Sequence, residues 1–171
     1  YKMPRIKKQG TPYRRKRQGK TDYRSRLKQV ISGKTRLVVR LSSKNIYAQL
    51  IEFNQDGDKV LVSVATNELK KKYGWKGARR NASAAYLTGL LIGMKAKTKN
   101  IKDAILDIGM RSPIKGSNIY AVLKGAVDSG LKVPHSVEVL PKEERIKGTH
   151  LKNSNFDQVK TAIMKGATKW K

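Results

Sequence analysis

RLVVRLSSKNIYAQLIEFNQDGDKVLVSVA, residues 36–65, contains three runs with strand character. In the first, Leu37, Val39 and Leu41 alternate with Arg36, Val38 and Arg40. The second runs from Ile46 to Phe53. The third places Val60, Val62 and Val64 on one side. Alternation with a period of two puts one set of side chains on each face of a strand. The links, Ser43-Lys44-Asn45 and Asn54-Gln55-Asp56-Gly57-Asp58, are short and rich in turn formers, so the three strands are expected to pair as an antiparallel meander.

Helical patterns flank this sheet. Upstream, Thr21 or Asp22 can cap a helix in which Tyr23, Leu27, Val30 and Ile31 share one face and Arg24 and Lys28 another, with Gly33 as its stop. Downstream, NELKKKYGWKGARR (residues 67–80) reads as a polar loop with at most one helical turn. Asn81 then caps a helix from Ala82 to about Lys97 that is apolar on most sides. Such a helix is buried, and its small residues, Ala82, Ala85, Gly89 and Gly93, would let it lie close to the sheet. AILDIG, residues 104–109, reads as a fourth, inner strand. Ser117 or Asn118 caps a helix through Asp128 that Gly130 ends. Residues 133–148 form a Pro-bounded connection with one short helix, and Phe156, Val159 and Ile163 share a face of a last helix that stops near Gly166. The expected fold is α/β: a mostly antiparallel sheet of about four strands with helices packed on it, a basic N-terminal arm and a C-terminal helical extension. Its parts are an arm (1–20), a core domain (21–135) and the connection with its helical extension (136–171).

Charge decides the class of partner. The 171 residues carry a formal net charge of +27 with 38% hydrophobic residues. So large an excess repels itself in a compact state and calls for an anionic partner. No apolar run approaches the roughly 20 residues of a spanning helix. The start, YKMPRIKKQG, lacks the apolar region of a secretory signal. Because the first residue is Tyr1 rather than Met, residues before it are expected to be missing from this chain. No cysteine is present, which removes disulfides, thiolate metal sites and cysteine nucleophiles. Asn81-Ala82-Ser83 matches a glycosylation sequon, which in the absence of a secretory signal is read as chance.

The charge concentrates at the N-terminus. Residues 1–28 hold twelve Lys and Arg against Asp22 alone, and up to about Lys20 there is almost no apolar residue. This is an arm without a core of its own. Tyr13 and Tyr23 interleave with the charges and can stack on unpaired bases. The loop KKKYGWKGARR repeats the theme around Tyr73 and Trp75, so a second contact surface is expected there. The alternative is that Trp75 anchors the loop in the core. Glycine, proline and aromatics in the arm suit irregular RNA better than duplex DNA.

Catalysis is poorly served. Asp103 and Asp107 flank the fourth strand, but four residues of strand separate them by about 13 Å, too far to share one ion. These acids and Asp128 are read as solvated or capping. His135 and His150, with no close partner, make no metal site. No G-x-S-x-G, P-loop or G-x-G-x-x-G frame occurs. A metal-dependent nuclease and a DNA-compacting protein remain as alternatives.

RRKRQGKTDYRSRLK (14–28), GKTRLVVRLSSKNIYAQ (33–49), YGWKGARRNASAAYLTGLLIGMKA (73–96), LDIGMRSPIKGSNIYAVLKGAVDSGLKVPHS (106–136) and LPKEERIKGTHL (140–151) stand in the order of a known family. Together they resemble universal family eighteen of large-subunit ribosomal proteins, called protein five in eukaryotes. The long arm and the PHS…LPKEERIKG extension resemble its archaeal form. The resemblance implies a non-catalytic protein of the cytoplasmic ribosome, without cofactor or metal. It implies 5S ribosomal RNA, large-subunit ribosomal RNA and neighbouring ribosomal proteins, among them universal protein five, as partners in the central protuberance. It implies no membrane and no small-molecule substrate. Carried onto this chain, the RNA contacts it implies are Arg14, Arg15, Lys16, Arg17, Lys20, Thr21, Tyr23, Arg24, Arg26, Lys28, Arg36, Arg40 and Lys44. Trp75, Lys76, Arg79, Arg80 and Lys115 follow. At 78–80 the basic ARR departs from the Gly-rich pattern of many relatives. The arm is expected to be disordered when free and to order on RNA.

Overall fold

A computed structural model describes residues 10–149 and 155–166. Alternation does produce the meander. Strands β1 (Arg36–Leu41), β2 (Ile46–Glu52) and β3 (Lys59–Ala65) pair antiparallel, with Leu37 opposite Leu50 and Val39 opposite Ala48. Leu37, Val39, Ile46, Ala48, Leu50, Val62 and Val64 are buried on one face. The third strand does not keep its expected alternation. Pairing slips between Leu50 and Ile51, so that Val62 faces Leu50 but Val60 faces Ile51, and Leu61 is the extra residue. A bulge of this kind turns the strand over, and Val60 is left 49% exposed on the outer side.

A fourth strand, β4 (Ile105–Asp107), is shorter than its sequence pattern and is not inner. It lies at the sheet edge, in the order β3-β2-β1-β4, parallel to β1. Its flank is partly covered: Ala104 donates to the Lys132 carbonyl and Lys132 to that of Lys102, next to buried Leu131 and Val133.

The polar stretch after β3 is more ordered than its composition suggests. Helix α3 (Thr66–Tyr73) buries Leu69 and ends at Gly74, whose φ of 66° is the left-handed cap that glycine takes without strain. Two helical elements precede β1: a single turn α1 (Arg14–Arg17), in the arm expected to lack structure, and α2 (Tyr23–Ile31).

The middle of the core is α4 (Ala82–Thr98), capped by Asn81 Oδ1, which accepts from the Ala84 amide at 2.8 Å. It is apolar all round because it has neighbours all round: the sheet, α3, α5 (Asn118–Asp128), α6 (Glu143–Lys147) and α7 (Phe156–Lys165). Its glycines do not face the sheet. A β-carbon at Gly89 would lie 1.9 Å from the Val122 carbonyl oxygen, and one at Gly93 1.6 Å from Ser129 Oγ. Gly125 in turn sits against the Tyr86 carbonyl. The small residues serve a backbone-close crossing of α4 and α5. Phe156, Val159 and Ile163 bring α7 onto the same core, as their spacing predicts. Tyr86 stacks on Phe156 with ring centroids 5.7 Å apart, and its hydroxyl donates to Asp128 at 2.8 Å. Burial, and then this carboxylate, push the Tyr86 hydroxyl well above its ordinary range.

Candidate nucleic-acid interface

The bulge, the edge strand and the apolar inner face leave the opposite face of the sheet for other work. Arg36, Val38 and Arg40 of β1 point there, beside Ile51 and Asp107. Above them runs α2. The helix begins as its sequence predicts: the Asp22 carboxylate accepts from the Arg24 and Ser25 amides and from the Ser25 hydroxyl. These hydrogen bonds, the Ser25 hydroxyl first and its amide next, hold the Asp22 carboxyl below its usual range.

The apolar stripe of α2 does not enter the core. None of its residues is buried; Leu27 and Ile31 are 60% and 75% exposed. The helix is tied to the sheet by polar contacts instead. Arg26 Nη2 meets Asp58 Oδ2 at 3.0 Å, and the Gln29 amide donates to the Leu106 carbonyl at 3.4 Å. The side of α2 that faces the sheet is therefore its polar side, over a surface already carrying two arginines.

Those arginines form a chain of ion pairs. Arg36 Nη2 lies 2.7 Å from Asp58, and its Nη1 3.4 Å from Asp107 Oδ2. Arg40 Nη2 lies 3.0 Å from Asp107 Oδ1, and its Nη1 donates to the Asp107 carbonyl at 2.8 Å. The reading of Asp107 as a solvated or capping acid is corrected: it is buried and holds both guanidiniums, while also accepting from the Gly109 amide. Asp128, exposed at the end of α5 as its reading as a solvated acid expects, also accepts from the Tyr86 hydroxyl.

Most of the expected contact residues fall into two groups, and the others are scattered. Arg14, Arg15, Lys16, Arg17, Lys20, Thr21, Tyr23, Arg24, Arg26, Lys28 and Arg40 gather around α1, α2 and the outer face. There Arg15 Nε donates to Thr21 Oγ1 at 2.8 Å, and Tyr13 stacks on Tyr23 with centroids 5.3 Å apart. Lys44 and Arg80 form a second group: Arg80 Nη1 reaches the Ser43 carbonyl at 3.5 Å, and the Arg80 carbonyl accepts from Asn118. Arg79 is held by Asn67, and Lys115 pairs with Glu138 at 3.1 Å. Lys76 stands apart, its amide donating to Asn155 just before α7.

Two residues of the expected set are buried. Trp75 is 1% exposed, its indole N–H donating to the Ala78 carbonyl at 3.1 Å. It is the anchor of the 74–80 loop, and no base can stack on it. Arg36 is 3% exposed, with both ends of its guanidinium committed to carboxylates. Burying an indole is worth more than leaving it in water, and Arg36, beneath α2, is covered by Asp58 and Asp107 although it lines the cleft. One residue was missed: Arg111, which lines the same cleft and donates to the Leu41 carbonyl at 3.5 Å. Its signal was only a basic residue just past the fourth strand. Between α2 and the sheet remains a cleft of about 430 Å³ lined by Arg15, Lys20, Arg26, Arg36, Arg40 and Arg111, with Asp22, Asp58 and Asp107. No helix among the described residues is long and apolar enough to cross a membrane.

A family profile described as "Ribosomal large subunit proteins 60S L5, and 50S L18" matches residues 7–103 and 94–136. The chain is similar to the large ribosomal subunit protein uL18 of Aeropyrum pernix, with 46% identity over 140 residues, 82% of this chain and 65% of that protein. It is similar to uL18 of Methanothermobacter thermautotrophicus, with 52% identity over 139 residues, 81% of this chain and 72% of that protein. The match thus spans just under two thirds of the length of the first of these relatives and somewhat more of the second.

Proposed function

The chain belongs to the family of ribosomal large subunit proteins 60S L5 and 50S L18, in its archaeal form, and from that premise we propose that it is a structural constituent of the large subunit that binds 5S ribosomal RNA. It helps to dock that RNA on the large-subunit ribosomal RNA in the central protuberance, on the cytoplasmic ribosome, beside other ribosomal proteins including universal protein five. The family is one of structural ribosomal proteins, not of enzymes.

One observation supports this reading above the others. The outer face of the sheet, where a free-standing domain would place apolar packing, is a cation-lined cleft roofed by a helix none of whose residues is fully buried. Arginine and lysine there and on α1 can neutralise phosphates and release their counterions, each contact adding about 0.7 to 0.9 to the slope of log affinity against log salt. Guanidiniums can also grip phosphate with two parallel hydrogen bonds. The exposed Tyr13, tilted against Tyr23, can offer its ring to an unpaired base.

The test is a salt-series titration against 5S ribosomal RNA, an unrelated RNA of equal length and duplex DNA. Preference for the 5S RNA that survives moderate salt supports the proposal, because a folded surface with fixed geometry must then contribute. Equal affinity for all three, collapsing with salt, refutes it and restores the DNA-compacting alternative.

A further inference from the structure

The carboxylate of Asp58 sits where two guanidiniums converge: a single oxygen, Oδ2, lies 3.0 Å from Arg26 Nη2 and 2.7 Å from Arg36 Nη2. We infer that this pair of guanidiniums is a seat for one phosphate group of the RNA backbone, and that Asp58 fills it while no RNA is bound. The inference rests on the RNA-binding reading above.

Carboxylate and phosphate present the same acceptor pattern to guanidinium, with phosphate offering more oxygens. That difference matters here, because Arg36 Nε and Nη2 are buried and make no hydrogen bond; Nη2 approaches Asp58 as an ion pair without hydrogen-bond geometry. A buried donor left unmade costs free energy, and a larger anion can satisfy it. The surroundings favour the exchange: Arg15, Lys20, Arg40 and Arg111 line the same cleft.

Among the three carboxylates of the cleft, Asp58 is the one free to leave. Asp22 is held by the amides that begin α2, and Asp107 by the Gly109 amide and Arg40. Asp58 lies in the β2–β3 turn, its side chain 25% exposed, and its carboxylate has no backbone partner among the described residues. When it swings out, Arg36 keeps Asp107, so no buried charge is stranded. The roof is held over the sheet by the Arg26–Asp58 and Gln29–Leu106 contacts, and the first of them is released when Asp58 swings out.

Asp58→Asn keeps the shape and removes the competing charge. In the full chain, 5S RNA should bind about fivefold more tightly than to wild type, the size of one unit-charge repulsion at contact distance in a water-like medium. Asp56→Asn, an exposed acid in the same turn, controls for net charge and should change affinity less than twofold. Adding Arg26→Gln to Asp58→Asn should erase the gain, and circular dichroism checks that each variant is folded. The arginine Nε–H resonances of Arg26 and Arg36 are followed with RNA and with inorganic phosphate at fixed ionic strength. Movement with both assigns a general phosphate seat, and movement with RNA alone assigns the polymer backbone; either supports the inference. If wild type binds RNA but Asp58→Asn matches Asp56→Asn and the Arg36 resonance stays still, the seat is refuted while the RNA reading stands. If wild type binds no RNA, that reading fails, and the phosphate titration by itself upholds or overturns the seat.

Discussion

Replacing Gly125 by alanine tests the claim that the core is set by a backbone-close helix crossing. The new β-carbon would lie 2.1 Å from the Tyr86 carbonyl oxygen, 2.8 Å from the Leu90 nitrogen and 3.1 Å from the Gly89 carbonyl carbon. All three are backbone atoms of α4, so no side-chain rotation relieves the clash. Real β-carbons keep at least 3.0 Å, so the helices must separate by about 1 Å. A gap of that size forfeits a quarter to a half of each dispersion contact across it, here among residues such as Leu87, Leu90, Val122 and Leu123, all fully buried. Overpacking costs about 1 to 3 kcal/mol, and an unyielding backbone obstacle belongs at the upper end, about 3 kcal/mol. Alanine returns about 1 kcal/mol through its higher helix propensity. The net expectation is a loss of about 2 kcal/mol, or about 4 to 8 °C in melting temperature for a chain of this size. Urea denaturation followed by circular dichroism measures it, with the midpoint falling at constant slope. A variant about 1 kcal/mol more stable than wild type would refute the crossing, because helix propensity would then be the only effect present.

Three further outcomes follow from the interface. Asp107→Ala strips both arginines of a buried partner and should cost about 3 kcal/mol by the same denaturation; a loss below about 1 kcal/mol would mean that the pairs are solvated. Removing residues 1–20 deletes Arg14, Arg15, Lys16, Arg17 and Lys20 and should weaken 5S RNA binding sharply while flattening its salt slope by about 0.7 to 0.9 per lost phosphate contact. Filter-binding affinity unchanged by this truncation would exclude the arm from the interface. Asp22 has a folded-state pKa depressed below 3.8, so its contribution to α2 is present above that value and is lost as pH falls through the lower, folded value. The Arg24 and Ser25 amide resonances should therefore titrate together below pH 3.8; a midpoint at or above the unperturbed value of about 3.9 would show that the cap does not form.

Much of this was readable residue by residue. Alternation at period two and short turn-rich links were enough for the meander, Asp22 and Asn81 for two helix starts, and Phe156, Val159 and Ile163 for the face of the last helix. Local chemistry dictates such features, because a cap or a strand face depends on neighbours within a few residues. The basic arm and its tyrosines named an anionic partner for the same reason: net charge is a sum and needs no fold.

The remainder depended on what meets what. Whether Trp75 faces a base or the core, and whether Val60 continues an alternation or is turned out by a bulge at Leu61, are settled by partners far along the chain. The glycines of α4 identify a close approach in either reading, but only Gly125 of α5 says to which neighbour. So too with α2. Its spacing put Tyr23, Leu27, Val30 and Ile31 on one face, but only the fold shows that Leu27 and Ile31 stay exposed while Arg26 and Gln29 find Asp58 and the Leu106 carbonyl across the sheet. Composition and periodicity specify which elements form and that the protein must hold an anion. Only packing distributes the arginines, burying Arg36 between Asp58 and Asp107 and leaving Arg40 at the mouth of the cleft, since the energy of a charge depends on its distance to other charges and to water, and neither distance is written in the order of the residues.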